Sequence, residues 1–405
     1  MLLTEPGTLA RKTLFELLTD PADDRDALYS GLAAACPVHR DASGAWMVST
    51  YRLSRAILNH PGLSTRSPLV AHGLLDDDAG ILDMMLFQDD AAHDRLRQAF
   101  APLFSKTRLA SLREGLRADL GALLARLPDP HRFDLMAEIA QRLPSMTICR
   151  LIGIDVAHAP DLVAGSMSAI RLISAAPLRP DERRHAITQT MAFMRELEAH
   201  VPAVRELLRI DSAAAANGTP RDGELTPHQL LVNVLLMFIA GYGTTMLSIG
   251  NTLAHALACS GLWQRLAGEP ALVPAAVREL MRVEPAVHLL FRYARRNVEL
   301  DGLTLAPGDV VAIVAAAANR DPAEFDTPSQ VRPERAHNGL VFGAGSHGCI
   351  GVALARMQLE VVFDTLLARM PGLTLESARN PRLQEGSFRG YRTLWLRNGA
   401  ARRGK

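Results

Sequence analysis

Apolar residues recur at helical spacing over most of the chain and alternate as in strands only in short runs. The sharpest helix start is at Thr226, an N-cap followed by Pro227 at the first helical position and by Gln229, which completes a capping box. Leu225 and Leu230 form a hydrophobic staple across it. The apolar pattern then continues to about Cys259, before Gly261. At 1.5 Å per residue, ~33 residues span roughly 50 Å. The helix is apolar nearly all round, which predicts burial. Residues 230–249 also have the length of a membrane span. Asn233, Gly241, Gly243, Thr244, Thr245 and Ser248 within it, and the lack of a basic flank after it, favour a central buried helix.

The same pattern predicts helices over 10–18 and 53–58, with a strand at Trp46 between them. Residues 64–88 are irregular, with an apolar segment at 81–87. Helical periods fill 107–160, broken at Pro128, Pro130 and Pro144, and 161–205, broken between Pro177 and Pro180. Residues 211–225 are a loop by composition. A helix runs from Val273, and another over 350–369 ends at Pro371-Gly372. Strands are expected over 288–294, then over 298–302 and 308–314 around a turn, and a terminal β-hairpin region over 373–397. The tail 402–405 is expected to be disordered. Together these give a mainly α fold with a smaller β-sheet region (α+β). A single domain over 1–405 is expected, β-rich at about 40–65, 288–315 and 373–397.

Hydrophobic content of 48% and charged content of 21% are those of a globular protein. Lys+Arg exceed Asp+Glu by 44 − 43 = 1, so no basic field points to nucleic acid. Cys36, Cys149, Cys259 and Cys349 have no paired spacing, which argues against a disulfide framework or a Cys-only metal site. That usage fits a reducing, cytoplasmic compartment, and the first residues show no signal-peptide pattern.

The chemistry concentrates in Phe342-Gly343-Ala344-Gly345-Ser346-His347-Gly348-Cys349-Ile350-Gly351. Four glycines let backbone approach a flat ligand closely. The apolar helical run that follows puts Cys349 at or just before a helix start, where free N–H groups stabilise a thiolate. A thiolate on such a loop suits haem iron. The other readings are a buried structural cysteine or a nucleophile activated by His347. The positions filled by Phe342, Gly345, His347, Cys349 and Gly351 resemble the haem-binding signature of the cytochrome P-450 family.

Further motifs follow the family's order over about residues 10–397. His93 and Arg97 share a helix face at i, i+4. By itself that is a solvated face; two cationic donors there also suit the carboxylates of haem propionates. Ala240-Gly241-Tyr242-Gly243-Thr244-Thr245 places two glycines inside a helix, at roughly 1 kcal/mol each. Tight packing explains that alone, and the stretch also resembles the family's oxygen-binding segment. The resemblance implies that Thr244, with Thr245 beside it, helps deliver protons. Gly243 stands where the family usually has an acid. Glu279 and Arg282 resemble the Glu-x-x-Arg pair, with Arg335 as the downstream arginine, a structural role. Arg292 resembles the arginine that meets a haem propionate.

The resemblance implies haem b (iron protoporphyrin IX) held between the long central helix and the cysteine loop. It implies Cys349 as iron ligand and His93, Arg97, Arg292, His347, Phe342, Gly345, Gly351, Ala240 and Gly241 around the cofactor. Substrate walls would come from the 64–87 loop, Leu236, Ile239, Ala240, Gly243, Val287, Leu290 and Tyr391. The implied activity is a monooxygenase using O2 and two electrons from a ferredoxin or flavodoxin-type donor with an NAD(P)H-dependent reductase. It would hydroxylate or epoxidise a largely apolar small molecule, a natural-product intermediate. A monomer without membrane or nucleic-acid partners is expected. The absent acid at Gly243 opens an alternative, an atypical oxidation such as coupling, desaturation or peroxide-driven turnover. A different class, a haem-binding or sensing protein without turnover, is the second alternative.

Overall fold

The computed structural model describes residues 14–19, 26–67, 80–175, 177–208, 225–335, 337, 339–376 and 380–399. Residues 10–13 of the expected first helix, 68–79 of the irregular segment, 211–224 and the tail 402–405 lie outside the described residues.

Fourteen described α-helices carry the fold. They are α1 (Leu14–Thr19), α2 (Asp26–Ala35), α3 (Tyr51–Leu58), α4 (Asp90–Phe100), α5 (Lys106–Ala125), α6 (Leu143–Ile152) and α7 (Ala159–Ile173). Then follow α8 (Pro180–Glu198), α9 (Val201–Leu208), α10 (Pro227–Ala258), α11 (Leu262–Gly268), α12 (Val273–Val283), α13 (Ala315–Ala318) and α14 (Val352–Arg369). Pro144 lies in the first turn of α6, where its missing N–H is harmless, so it starts a helix instead of breaking one.

The organising element is α10. Its capping box forms as expected: Thr226 Oγ1 accepts the Gln229 N–H at 3.0 Å, and Gln229 Oε1 accepts the Thr226 N–H at 3.2 Å. It ends at Ala258, with Cys259 as cap. Helices α6, α7, α8, α12 and α14 pack around it. Among the described residues it is the one helix with the length and apolarity of a membrane span, yet 78% of that window is buried inside the protein. Contact on every side explains its all-round apolarity.

The strands form small sheets. The largest has the order β1 (Val38–Arg40), β2 (Trp46–Val48), β8 (Val310–Ile313), β5 (Leu290–Ala294), β3 (Leu63–Ser64), with β2–β8 parallel and the other pairs antiparallel. One expectation is corrected here. Residues 298–302 do not pair with 308–314; β6 (Val298–Leu300) pairs with β7 (Leu303–Leu305) around Asp301-Gly302. Both turn residues have positive φ, 48° and 83°, the geometry for which Asp-Gly is suited. The C-terminal region is likewise more than a hairpin. The hairpin is β10 (Arg382–Glu385) with β11 (Phe388–Tyr391), whereas β9 (Leu373–Leu375) and β12 (Trp395–Asn398) join β4 (Arg132–Asp134).

Candidate haem-thiolate site

The cysteine loop is built by its own backbone. The Cys349 N–H donates to Phe342 O at 2.9 Å, Gly348 N–H to Gly345 O at 2.9 Å, and Gly343 N–H to Leu340 O at 3.0 Å. Gly343 and Gly345 take φ of 68° and 73°, which side-chain-bearing residues rarely adopt. A Cβ on Gly345 would also stand 2.6 Å from Leu58 O, so α3 closes on the loop only because a glycine is there. Helix α14 begins at Val352 with Gly351 as N-cap, two residues after Cys349. The Cys349 thiol lies deep in the protein but opens onto an internal cavity. Burial pushes its pKa up, opposed by the Gly351 N–H and by Arg97.

Across that cavity runs α10. Leu236, Met237, Ala240, Gly241, Thr244, Thr245 and Ser248 line it from there. The Thr244 hydroxyl donates to Ala240 O at 2.6 Å, and Ser248 Oγ donates to Thr244 O at 2.8 Å. Gly241 is explained by packing, since a Cβ there would stand 2.3 Å from Ile148 Cδ1 of α6. The remaining walls include Met85, Leu86, Ala286, Val287 and Leu290.

One edge of the cavity is cationic. His93 and Arg97 reach it from α4, Arg292 from β5, and His347 from the cysteine loop. The His93 and His347 rings stand 4.2 Å apart, and His347 Nε2 lies 3.6 Å from Asp89 Oδ1. Asp89 was not singled out by its sequence, although it stands four residues before His93. Burial lowers the His347 pKa, with Asp89 opposing and Arg292 and His93 reinforcing the shift. Among the described residues neither Arg97 nor Arg292 forms an ion pair with a carboxylate. Arg292 is 7% exposed, and burial lowers its pKa to about 10, with only the field of Asp89 against that.

These features test the fit of a haem. Two guanidiniums without a carboxylate among the described residues, one of them buried and bonded to the Phe291 carbonyl, call for anionic groups from a ligand. Among the described residues no cluster of three His, Cys, Asp or Glu could hold a bare metal ion. Iron at Cys349 must therefore bring most of its own ligands. An apolar macrocycle carrying two carboxylates meets both requirements, with its iron on the Cys349 sulfur, the thiolate-forming ligand of the cavity wall.

Behind the loop, Arg282 is fully buried and bonds Glu279 twice, at 2.8 and 2.9 Å. Arg335 Nε adds a third bond to Glu279 at 3.1 Å. Arg282 also donates to the carbonyls of Asn319, Pro328 and Gln330. The triad thereby fastens α12 to the irregular chain that leads into the cysteine loop.

Four expected positions fall off the cavity wall. Gly243 faces α7, where a Cβ would stand 3.2 Å from Ile170 Cδ1. Ile239 is buried on that same side of the helix. Residues 237, 240, 241, 244 and 248 keep one face of a 3.6-residue period, while 239 and 243 fall on another. Gly345 packs against α3, and Tyr391 lies in β11 under the Arg382 guanidinium, 4.0 Å from its ring centre. Met85, Leu86, Met237, Ser248 and Ala286 are wall residues that were not named individually. For those on α10, the helical period anchored on Thr244 was the available signal.

Thiol loop, threonine-bearing helix and unmatched cations surround one apolar slot, which defines a haem-thiolate protein. Comparison with known proteins gives that class its family. A model of the cytochrome P450 family matches residues 268–386. Over 399 residues the chain is 31% identical to a putative cytochrome P450 133B1 of Xylella fastidiosa (strain 9a5c), spanning 93% of this chain and 97% of that one. It is 31% identical to the mycinamicin IV hydroxylase/epoxidase of Micromonospora griseorubida, over 82% of this chain and 83% of the relative. The crystal structure of P450BioI in complex with hexadec-9Z-enoic acid ligated acyl carrier protein superposes with a TM-score of 0.83 at 26% identity, covering 94% and 99% of the two chains. The chain belongs to the cytochrome P450 family. It is a P450 monooxygenase, and its cofactor is haem b.

Proposed function

We propose that this protein hydroxylates or epoxidises a largely apolar small molecule, a natural-product intermediate, with electrons from a ferredoxin or flavodoxin-type partner and its NAD(P)H-dependent reductase. The observation that carries the reading is the cavity: a thiol on one wall, Thr244 on the other, and Met85, Leu86, Leu236, Met237, Val287 and Leu290 around them. The hydroxylase/epoxidase named among the relatives supports the reaction type. The haem, when bound, supplies the iron at which O2 is activated with two electrons.

Cys349 would hold the iron, and Arg97, Arg292, His93 and His347 would hold the propionates. The apolar wall takes up the substrate by burying its surface and keeps bulk water away. Thr244 handles protons. In the structure its hydroxyl donates to Ala240 O, which leaves its Oγ1 lone pairs to accept a hydrogen bond from water in the cavity and so to orient that water. Passing its own proton onward would require the hydroxyl to turn from Ala240 O toward the cavity. Gly243 cannot share that task, because it carries no side chain and faces Ile170. This favours a second reading within the class, peroxide-driven or other atypical oxidation. Faster turnover with peroxide alone than with partner and NAD(P)H would select it.

The first test is the carbon-monoxide difference spectrum of the reduced protein. Wild type should show the thiolate-type Soret band, and Cys349→Ala should lose it while keeping its circular dichroism. A wild type without that band removes the reading.

A further inference from the structure

Asn233 lies in the first third of α10, fully buried. Its Oδ1 accepts the Met85 backbone N–H at 2.8 Å. Its Nδ2 donates to Asp83 O at 3.1 Å and to Gln229 O of its own helix at 2.8 Å. A buried amide with three good bonds is a strong local constraint. The segment it grips is two short 3-10 turns, Ile81–Asp83 and Met85–Phe87. Such turns have few bonds of their own. A second contact from the same helix reaches the segment's start, where His228 Nε2 stands 3.2 Å from Gly80 O. Met85 and Leu86 are the residues of this segment that line the cavity. Asn233 shares its helix face with Met237, Ala240 and Thr244, spaced i, i+4, i+7 and i+11. The amide therefore sets the height of the Met85–Leu86 roof over the same face that presents Thr244.

We infer that Asn233 is a positioning residue for substrate selection: it fixes how far Met85 and Leu86 reach into the cavity, and so which apolar length and bulk the enzyme accepts. The inference rests on the cavity being the substrate site. An apolar residue of equal size would leave the Met85 N–H and the Asp83 carbonyl without their partner and free the roof to shift.

The test uses the haem-loaded enzyme and two probes, imidazole and 1-dodecylimidazole, titrated by their absorbance changes. Both place an imidazole at the iron, and only the second has a tail long enough to meet the roof. The ratio of their dissociation constants thus reports the roof with an internal control. Asn233→Leu and Asn233→Ala should lower the preference for the long probe by about tenfold. Hydrogen exchange gives a readout that ligand binding does not enter. The Met85 amide should be protected in wild type and lose protection in the variants, while amides inside α10 keep theirs. An unprotected Met85 amide in wild type overturns the inference even if neither variant folds. A preference unchanged within about twofold in a folded variant overturns it as well. In both cases a normal carbon-monoxide spectrum of wild type leaves the haem-thiolate reading standing, whereas an abnormal one would remove that reading first.

Discussion

At the scale of single residues, two glycines of α10 have different reasons to be there. At Gly241 a Cβ would meet Ile148 Cδ1 at 2.3 Å and Cγ1 at 2.9 Å, and Ile148 itself lines the cavity. At Gly243 the nearest atom is the end of Ile170, at 3.2 Å. Replacing a helical glycine by alanine gains about 1 kcal/mol of helix propensity, which overpacking of about 1–3 kcal/mol can reverse. Gly241→Ala should therefore lower the thermal midpoint and disturb ligand titrations. Gly243→Ala should stay within about 1 kcal/mol of wild type in denaturant unfolding. Equal losses in the two variants would show that the Ile148 contact is not what requires Gly241. The motif around them was legible as a string, but which glycine served packing and which merely lacked an acid was not. That difference lies in helices α6 and α7, which approach from distant parts of the chain.

At the scale of elements, Glu279 and Arg282 are a helix-face pair that sequence spacing alone would assign to the surface. The fold buries both and adds Arg335, the Arg332 N–H and three carbonyls. Breaking such a pair by removing one partner leaves a buried charge uncompensated, at about 3–5 kcal/mol. Arg282→Leu should destabilise the protein by that order, read as a lower urea midpoint in the haem-free protein. A loss below about 1 kcal/mol would mean that the triad orders the loop without stabilising the fold. Other elements were legible in different degrees. The start of α10 was readable because capping chemistry is local and belongs to four consecutive residues. The β6–β7 hairpin carried an Asp-Gly signal that longer apolar runs on either side obscured. Strand β4 pairs with a partner more than 250 residues away, and nothing local announces such pairing.

At the scale of the whole molecule, four distant segments meet at Glu284. His255 Nδ1 from α10 stands 3.6 Å from its carboxylate, Arg320 3.5 Å, and Arg382 from β10 3.6 Å. Burial opposes the charge on Glu284, but His255 and the two guanidiniums outweigh it and bring its pKa to about 2. Burial also opposes the charge on His255, but Cys259 and Glu284 outweigh it and raise its pKa to about 9. Relative to the unfolded chain, His255 binds its proton more tightly when folded. Its contribution is complete below about pH 6.5 and is lost as pH rises through about 9. Glu284 is the reverse: its contribution is complete above about pH 4.5 and is lost as pH falls toward about 2. Thermal midpoints should therefore be flat from about pH 5 to 6.5 and decline toward pH 9, and His255→Gln should flatten the alkaline limb. An unchanged limb in that variant would place the alkaline titration elsewhere.

What the amino-acid string determined by itself was whatever is encoded over a few consecutive residues. That includes the capped start and full length of α10, the glycine-bracketed Cys349, the His93–Arg97 and Glu279–Arg282 spacings, and the mainly α character of the chain. These rest on backbone geometry and helical period, which need no partner. The tertiary structure decided what depends on approach between distant segments. It turned Gly243 and Ile239 away from the cavity, closed the wall with Met85 and Leu86 through Asn233, and left Arg97 and Arg292 without a carboxylate among the described residues. Burial and unmatched charge are properties of what surrounds a residue, and those surroundings exist only once the chain has folded.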